Sequence, residues 1–446
     1  MPRKQVYMLC LALVSAIPGR LACAQDATFD TWAGRAWDAY HAGKWQEAEE
    51  CFAQAKQAAP LRCEDWNGLS VSQRLQGKYE EALSTARAGC EAFGLPTNRK
   101  RLCEALIDVG DFANARTICD KLLADGVPDG EMEPLVHRSA FHRYELTFAL
   151  DHKRFAWLGQ ELWKKNGFYQ CYFPAEVPYQ TSTAEALDCA RFEDGRDAAG
   201  NRFFRIWPDG DRPARVVFHV TQVPTLFDLS RTPPPPYAMP PDVQHYLGKT
   251  QVIDPTTPLA RQIAEPLKGR TLEETLDNIT HWCTANFKYI LEGEPGNTIV
   301  PGEAGSDQVL RTGRSRCGGH SAAAVALLRA CGIPARGALG FSGIGKDHKP
   351  DWHAWTEIWV PGYYRHGAGY IAGGLWVPAY GGGARSGQLD PSLIRLAAET
   401  PEDAVENQPD TGTRIFFSMH IPDKPSGGPP ANFTCRWIGS YIDTPR

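Results

Sequence analysis

The sequence predicts a multidomain chain with three parts: an all-α solenoid of repeated helix pairs, a β-rich middle region, and an α+β core around a cysteine at a helix start. Three observations carry this reading. A Gly–polar–aromatic pattern recurs about every 34 residues near the front. Runs of β-branched and aromatic residues bounded by Gly, Asp and Pro follow it. Further on, Cys317 opens an Ala/Leu-rich stretch, and a strand-like segment containing His353 comes after. At roughly 150 residues per domain, 446 residues leave room for about three domains.

Composition narrows the field. Apolar residues make up 43% and charged residues 22%, with 13 Trp, 15 Tyr and 19 Phe. That is enough apolar material for real cores and excludes wholesale disorder. A formal charge of −5 argues against a protein that coats nucleic acid. No run of 18 apolar residues exists, so no membrane span is expected.

The first residues read as an export signal, to be set aside before reasoning about fold. Arg3 and Lys4 form a basic start, and Val6 to Ile17 is apolar but too short to span a bilayer. Ala22-Cys23-Ala24 supplies the small residues of a cleavage site between Ala24 and Gln25. A lipoprotein reading on Cys23 is weaker, because Arg20 stands where Leu is wanted. Losing the three positive charges Arg3, Lys4 and Arg20 takes the formal charge from −5 to −8. The mature protein is expected to be secreted or periplasmic. Of 13 cysteines, removal of Cys10 and Cys23 leaves eleven. In an oxidising compartment some should pair, Cys331 with Cys283 among the candidates, and an odd number leaves at least one thiol free. No CxxC or Cys/His grouping has zinc spacing, and no cofactor is implied.

Between residues 35 and 130 three segments share one pattern. They are Gly43-Lys44-Trp45 with Ala48, Gly77-Lys78-Tyr79 with Ala82, and Gly110-Asp111-Phe112 with Ala115. Gly at the turn, an aromatic sealing the pair and Ala allowing close helix approach make physical sense of it. The pattern resembles the tetratricopeptide repeat. Pro60 and Pro96 fall where second helices should stop. Residues 131–166, with Tyr144 to Leu150 and Phe155 to Leu158, read as capping helices. The solenoid is either a docking surface for a protein partner or a prop for the next domain.

Phe203 to Trp207 and Arg215 to Thr221 read as strands, and Pro233 to Pro236 as a rigid loop. Residues 256–290 turn helical, with Leu259, Ile263, Leu267, Leu272, Leu276 and Ile279 at three- and four-residue steps. Val309 to Phe341 carries the chemistry. Cys317 stands at a helix N-terminus beside Arg314 and Arg316, which favours the thiolate. Gly318 and Gly319 keep the neighbourhood open, so backbone N–H groups could form an oxyanion hole. His320 reads as a helix-surface residue. The alternation Trp355, Glu357, Trp359 marks a strand with His353 at its start, placed to pair with the thiol.

Arg316-Cys317-Gly318-Gly319-His320, Leu328 to Arg336, Trp352-His353-Ala354-Trp355-Thr356-Glu357 and Trp376-Val377-Pro378 come in a telling order. Over residues 255–390 they resemble the transglutaminase-like core of the papain-like cysteine superfamily. The strands around Ile415 to Phe417 and Phe433 to Trp437 resemble companions of bacterial members. The resemblance implies a Cys–His–Asp machinery and a thioester intermediate, with Cys317 as nucleophile and His353 as base and acid. One position departs from the family. Tyr380 stands where the His-orienting Asp belongs, with Asp390 as a substitute across the Gly381-Gly382-Gly383 loop. A wrong imidazole tautomer costs on the order of 10⁴ in rate in a serine-protease triad.

The expected division is signal peptide 1–24, helical repeats with caps 25–166, β domain 167–250, transglutaminase-like domain 251–400 and C-terminal strands 401–446. The expected function is an exported thiol enzyme cleaving or transferring acyl groups of protein or peptide amides. The alternative is a catalytically impaired fold that binds peptides or cell-envelope material as a scaffold.

Overall fold

The computed structural model describes residues 28–150, 164–197, 200–209, 215–230, 232–250, 252–290, 305–342, 351–361, 363–366, 369–372, 374–379, 385–398, 417–420 and 431–441. The proposed signal peptide lies outside them. No helix among the described residues is long and apolar enough to cross a membrane.

Seven helices come first: α1 Phe29–His41, α2 Trp45–Ala58, α3 Cys63–Leu75, α4 Tyr79–Phe93, α5 Pro96–Asp108, α6 Phe112–Ala124 and α7 Asp129–Ser139. The repeated glycines Gly43, Gly77 and Gly110 join the helices of each pair at φ of 72°, 74° and 76°. That left-handed region strains any side chain, so the glycine of the pattern is a backbone requirement. The aromatic then starts the second helix, and Ala48, Ala82 and Ala115 are buried at the pair interface. Pro60 lies just past α2. Pro96 has a different role from the one expected, since α4 already stops at left-handed Gly94 and Pro96 opens α5.

Two four-stranded antiparallel sheets form the β domain, in orders β17-β1-β6-β3 and β16-β2-β5-β4. Their strands are β1 Phe141–Leu150, β2 Phe168–Tyr172, β3 Gln180–Leu187, β4 Cys189–Arg196, β5 Arg202–Pro208, β6 Arg215–Gln222, β16 Phe417–His420 and β17 Ala431–Tyr441. One expectation needs correction: Tyr144 to Leu150 is a strand and not a capping helix. Tyr144, Leu146 and Phe148 are buried and alternate with half-buried residues, which is strand periodicity. β1 also pairs on both edges, with β6 and β17, so it sits inside its sheet. Phe155 to Leu158 lie outside the described residues, as do Ile415 and Phe416. The two C-terminal strands return to this domain, β16 onto β2 and β17 onto β1.

The third part follows a two-residue strand β7 Thr225–Leu226 and a short helix α8 Pro241–Gln244. Its helices are α9 Pro258–Ala264, α10 Leu272–Asn286, α11 Ser306–Thr312 and α12 Cys317–Ala330. Strands β8 Lys288–Tyr289 and β9 Arg314–Ser315 pair in parallel. The main sheet has the order β14-β11-β10-β15, built from β10 Ala335–Ser342, β11 Asp351–Val360, β14 Leu375–Pro378 and β15 Ile394–Ala398. A hairpin of β12 Tyr363–His366 and β13 Gly369–Ala372 reaches β7. Helix α12 is buried over most of its length, with Ala323 and Val325 to Leu328 packed among Leu272, Leu276, Ile279, Ile358 and Val377.

A fully buried carboxylate pins the sheet. Glu357 on β11 receives Arg336 of β10 at 2.8 Å and Arg395 of β15 at 2.7 Å, and Tyr179 donates to it at 3.4 Å. Burial alone would raise its pKa, but the two guanidinium groups outweigh burial and hold it below the usual carboxylate range. Arg336 also stacks on Trp376, 4.0 Å from the ring centroid. Another buried arginine joins solenoid and core. Arg385 binds Glu273 at 2.8 Å and Asp228 at 2.7 Å, donates to the Asp108 carbonyl at 2.6 Å and covers the Tyr79 ring.

Ten of the cysteines, from Cys51 to Cys331, are free thiols, against the pairing expected from export. Cys331 donates to the Ala264 carbonyl at 3.6 Å and does not bridge to Cys283. Cys103 and Cys119, on α5 and α6, have their sulfurs 3.2 Å apart and buried. Under mild oxidation, non-reducing peptide mapping should find Cys103 joined to Cys119 before any other described pair. Bridges forming elsewhere while these two stay reduced would contradict that placement.

Replacing Glu357 by Gln leaves two buried guanidinium groups without a counter-charge. The expected cost is about 3–5 kcal/mol, read as a lowered urea midpoint. Because the folded pKa is depressed, the stabilisation is full above the unfolded value near about 4.3. It is lost as pH falls through the lower folded value. The gap between the natural protein and Glu357→Gln should therefore close in acid.

Candidate active site

Arg316 is extended, with φ −91° and ψ −178°, so α12 begins at Cys317. The thiol thus stands at the positive end of a helix, where the first N–H groups have no partner within the helix. The Gly318 N–H donates to its sulfur. The two glycines differ in purpose. A side chain at Gly318 would meet open space, whereas one at Gly319 would collide with Ser315. Gly319 therefore lets β9 lie against the helix.

His353 is the third residue of β11, opposite Gly340 of β10. Ser321, one turn into α12 from Cys317, donates to the Trp355 carbonyl at 2.9 Å and lies 3.1 Å from the Thr356 hydroxyl. This buried stitch sets helix against strand beside His353. The imidazole donates to the Cys317 sulfur, as does the Ala354 backbone N–H. Burial pushes the thiol up, but these donors and the field of His353 outweigh it, and Cys317 ends below the ordinary thiol value. At five other cysteines burial prevails. It pushes Cys283 up to about 12 and Cys331 up to about 11, and it raises Cys51, Cys171 and Cys189.

Tyr289 is a member of the site that sequence reasoning missed. The β8/β9 register sets it opposite Ser315, two residues from Cys317. Its hydroxyl donates to the Cys317 sulfur and accepts from the Cys317 backbone N–H. Burial first, then the neighbouring sulfur, raises its pKa. His320 is not the surface residue expected. It stacks on Phe287, with ring centroids 4.9 Å apart and planes at 10°, and donates to the Lys288 carbonyl. Burial holds its pKa below the usual imidazole range.

Tyr380 lies outside the described residues. The chain approaches it from β14, and the Ala379 N–H donates to the Thr356 carbonyl at 2.8 Å. Asp390 is engaged elsewhere. Its carboxylate lies 3.4 Å from His137 of α7 and accepts the Ser392 N–H at 2.8 Å. Glu357 points into its arginine pair. Among the described residues, no three His, Cys, Asp or Glu side chains are placed to hold a metal ion.

Between α10 and α12 a cleft of about 370 Å³ opens onto the thiol. Leu276, Ile279, Phe287, Ala324 and Leu328 line its depth, while Cys317, His353 and Tyr289 stand in its wall. A sulfur at a helix start, an imidazole within hydrogen-bond reach and a largely apolar cleft beside them are parts that acyl-transfer chemistry uses.

The chain is similar to several known proteins. Residues 257–380 match the family model described as the transglutaminase-like superfamily. Among solved structures, a candidate cysteine protease from Cytophaga hutchinsonii shares 14% identity over 68% of this chain and 92% of that one, with a TM-score of 0.43. The periplasmic domain of TgpA from Pseudomonas aeruginosa shares 15% identity over 55% and 89%, with a TM-score of 0.28. PcrH, also from Pseudomonas aeruginosa, shares 22% identity over 26% and 89%, with a TM-score of 0.22. No curated protein matches the chain. Residues 257–380, which carry both Cys317 and His353, are therefore a transglutaminase-like domain.

Proposed function

We propose that this chain is an exported thiol enzyme that cleaves or transfers the acyl groups of protein or peptide amides through a thioester on Cys317. The observation that carries the reading is the His353 hydrogen bond to a sulfur held below the ordinary thiol pKa at a helix start. In the first step the thiolate bonds to the amide carbonyl carbon. The oxyanion then collapses, the C–N bond breaks, and His353 gives its proton to the departing amine. In the second step water or an amine attacks the thioester, His353 takes its proton, and the thiolate leaves. The Cys317 N–H and the Tyr289 O–H are two donors beside the sulfur, and a carbonyl oxygen entering there would exchange the Tyr289 contact for both. Export rests on the Arg3/Lys4 start, the apolar stretch and the Ala24–Gln25 cleavage site.

Tyr380 in place of Asp favours a second reading, in which the fold binds peptides or cell-envelope material as a scaffold. Alkylation separates the two. Iodoacetamide at pH 6.5 should modify Cys317 at least tenfold faster than any other described cysteine, by peptide mapping. Cys317→Ala should abolish amide turnover. Equal reactivity of all thiols would leave only the binding reading.

The third position has its own test. With Tyr380 as the orienting group, Tyr380→Phe should lower kcat at least tenfold with little change in KM. Asp390→Asn should change kcat less than threefold, because His137 and Ser392 hold that carboxylate. The reverse ranking would move the orienting role to Asp390.

A further inference from the structure

The cleft behind Cys317 has a chemistry that selects a substrate. Helix α12 presents Cys317, Ala324 and Leu328 along one face, and α10 presents Leu276 and Ile279 opposite, with Phe287 just past its end. Ala324, a small residue two turns below the nucleophile, lines this cleft of about 370 Å³. That equals about a dozen waters at roughly 30 Å³ each. Among the described residues, no acidic or basic side chain lines the cleft apart from the imidazoles of His353 and His320. Cys283, in the far wall, stays a neutral thiol because burial pushes it up to about 12. Of the hydroxyls there, Ser321 and Thr356 are turned to one another and to the Trp355 carbonyl, and Thr280, Thr284 and Tyr289 complete the polar part of the lining. A carboxylate or ammonium entering the depth of this space would lose water and meet no charged side chain among the described residues.

We propose that the cleft is the subsite for the side chain of the acyl-donor residue, and that this residue is bulky and apolar. Resting on the thioester reading above, the proposal makes the substrate a main-chain amide that follows a leucine- or phenylalanine-like residue, and not a glutaminyl side chain. Its carbonyl carbon lies against the sulfur while its side chain descends between Ala324 and Ile279. Discrimination in an apolar pocket runs to about 10- to 200-fold per methylene, so glycine at this position should be poor.

Peptidyl chloromethyl ketones test this without requiring turnover. The thiolate bonds to the methylene carbon and chloride leaves, so the alkylation rate reports how the side chain seats beside Cys317. Acetyl-Ala-X-chloromethyl ketones with X as Phe, Leu, Gly, Gln or Asp are compared on the full mature chain, with iodoacetamide as a reagent lacking any side chain. The expected result is a second-order rate on Cys317 at least tenfold higher for Phe and Leu than for Gly, Gln or Asp. Ala324→Phe, which fills the cleft, should reduce that preference to threefold or less. Should Ala324→Phe fail to fold, Ile279→Phe narrows the same space from the other helix. A Cys317 inert to iodoacetamide overturns the thiol-enzyme reading itself. A Cys317 fast with iodoacetamide but indifferent to X, or faster with Gln or Asp, overturns the apolar subsite alone.

Discussion

A carboxylate shut away from water between two guanidinium groups sets the position of strand β11, and the site depends on that strand. Removing Glu357, Arg336 and Arg395 from solvent is costly, and only their mutual geometry offsets it. Bonds of 2.7 and 2.8 Å are made when β10, β11 and β15 lie in one register. A slip of one residue would turn Glu357 to the opposite face of the sheet and leave three charges unpaired. His353 is four residues back on the same strand, so the register that satisfies Glu357 also aims the imidazole. Ser321 completes the constraint from the helix side by bonding to the Trp355 carbonyl at 2.9 Å. Strand register and helix position are thus each held by buried polar contacts that tolerate little displacement.

The same logic connects the solenoid to the core. Arg385 reaches the Asp108 carbonyl at the end of α5, the Tyr79 ring and two carboxylates of the core. Arg138 on α7 donates to Gln388 at 2.6 Å, and His137 faces Asp390. The segment 385–390 follows Tyr380 closely in sequence, so the last helices of the solenoid grip the chain just beyond that residue. The helical repeats are in this respect a structural support.

Legibility in the sequence followed how local each signal was. Gly43, Gly77 and Gly110 recur with their aromatic and alanine because each turn imposes the same left-handed backbone, so the repeats could be read directly. Cys317 before an Ala/Leu-rich run and His353 in an alternating strand carried comparable local marks. β1 was missed although Tyr144, Leu146 and Phe148 alternate. Its partner strands β6 and β17 lie about 70 and 290 residues downstream in the chain, and pairing at that range leaves no local trace. Tyr289 was missed for the same reason. Nothing in Phe287-Lys288-Tyr289 announces a site residue until β8 pairs with β9 and brings the phenol to the sulfur. The cysteines misled because export speaks to redox compartment and not to which sulfurs approach one another.

The balance of forces on Cys317 ties the cleft to the chemistry. Burial opposes the thiolate, yet His353 and the N–H groups of Ala354 and Gly318 outweigh it. Both effects come from the same low-polarity wall. Withdrawing water raises the cost of a lone charge, and it also strengthens each fixed donor aimed at that charge. A thiolate at the edge of an apolar cleft is therefore favoured only while its donors stay in place. An apolar side chain filling the cleft would expel the remaining water without adding a competing donor. The pairing of sulfur and imidazole would tighten as the substrate seats, so that binding energy from the side chain is expressed at the reacting atoms. A polar side chain would instead bring water or a hydrogen-bonding rival to the sulfur. The geometry that selects an apolar donor thus also maintains the nucleophile.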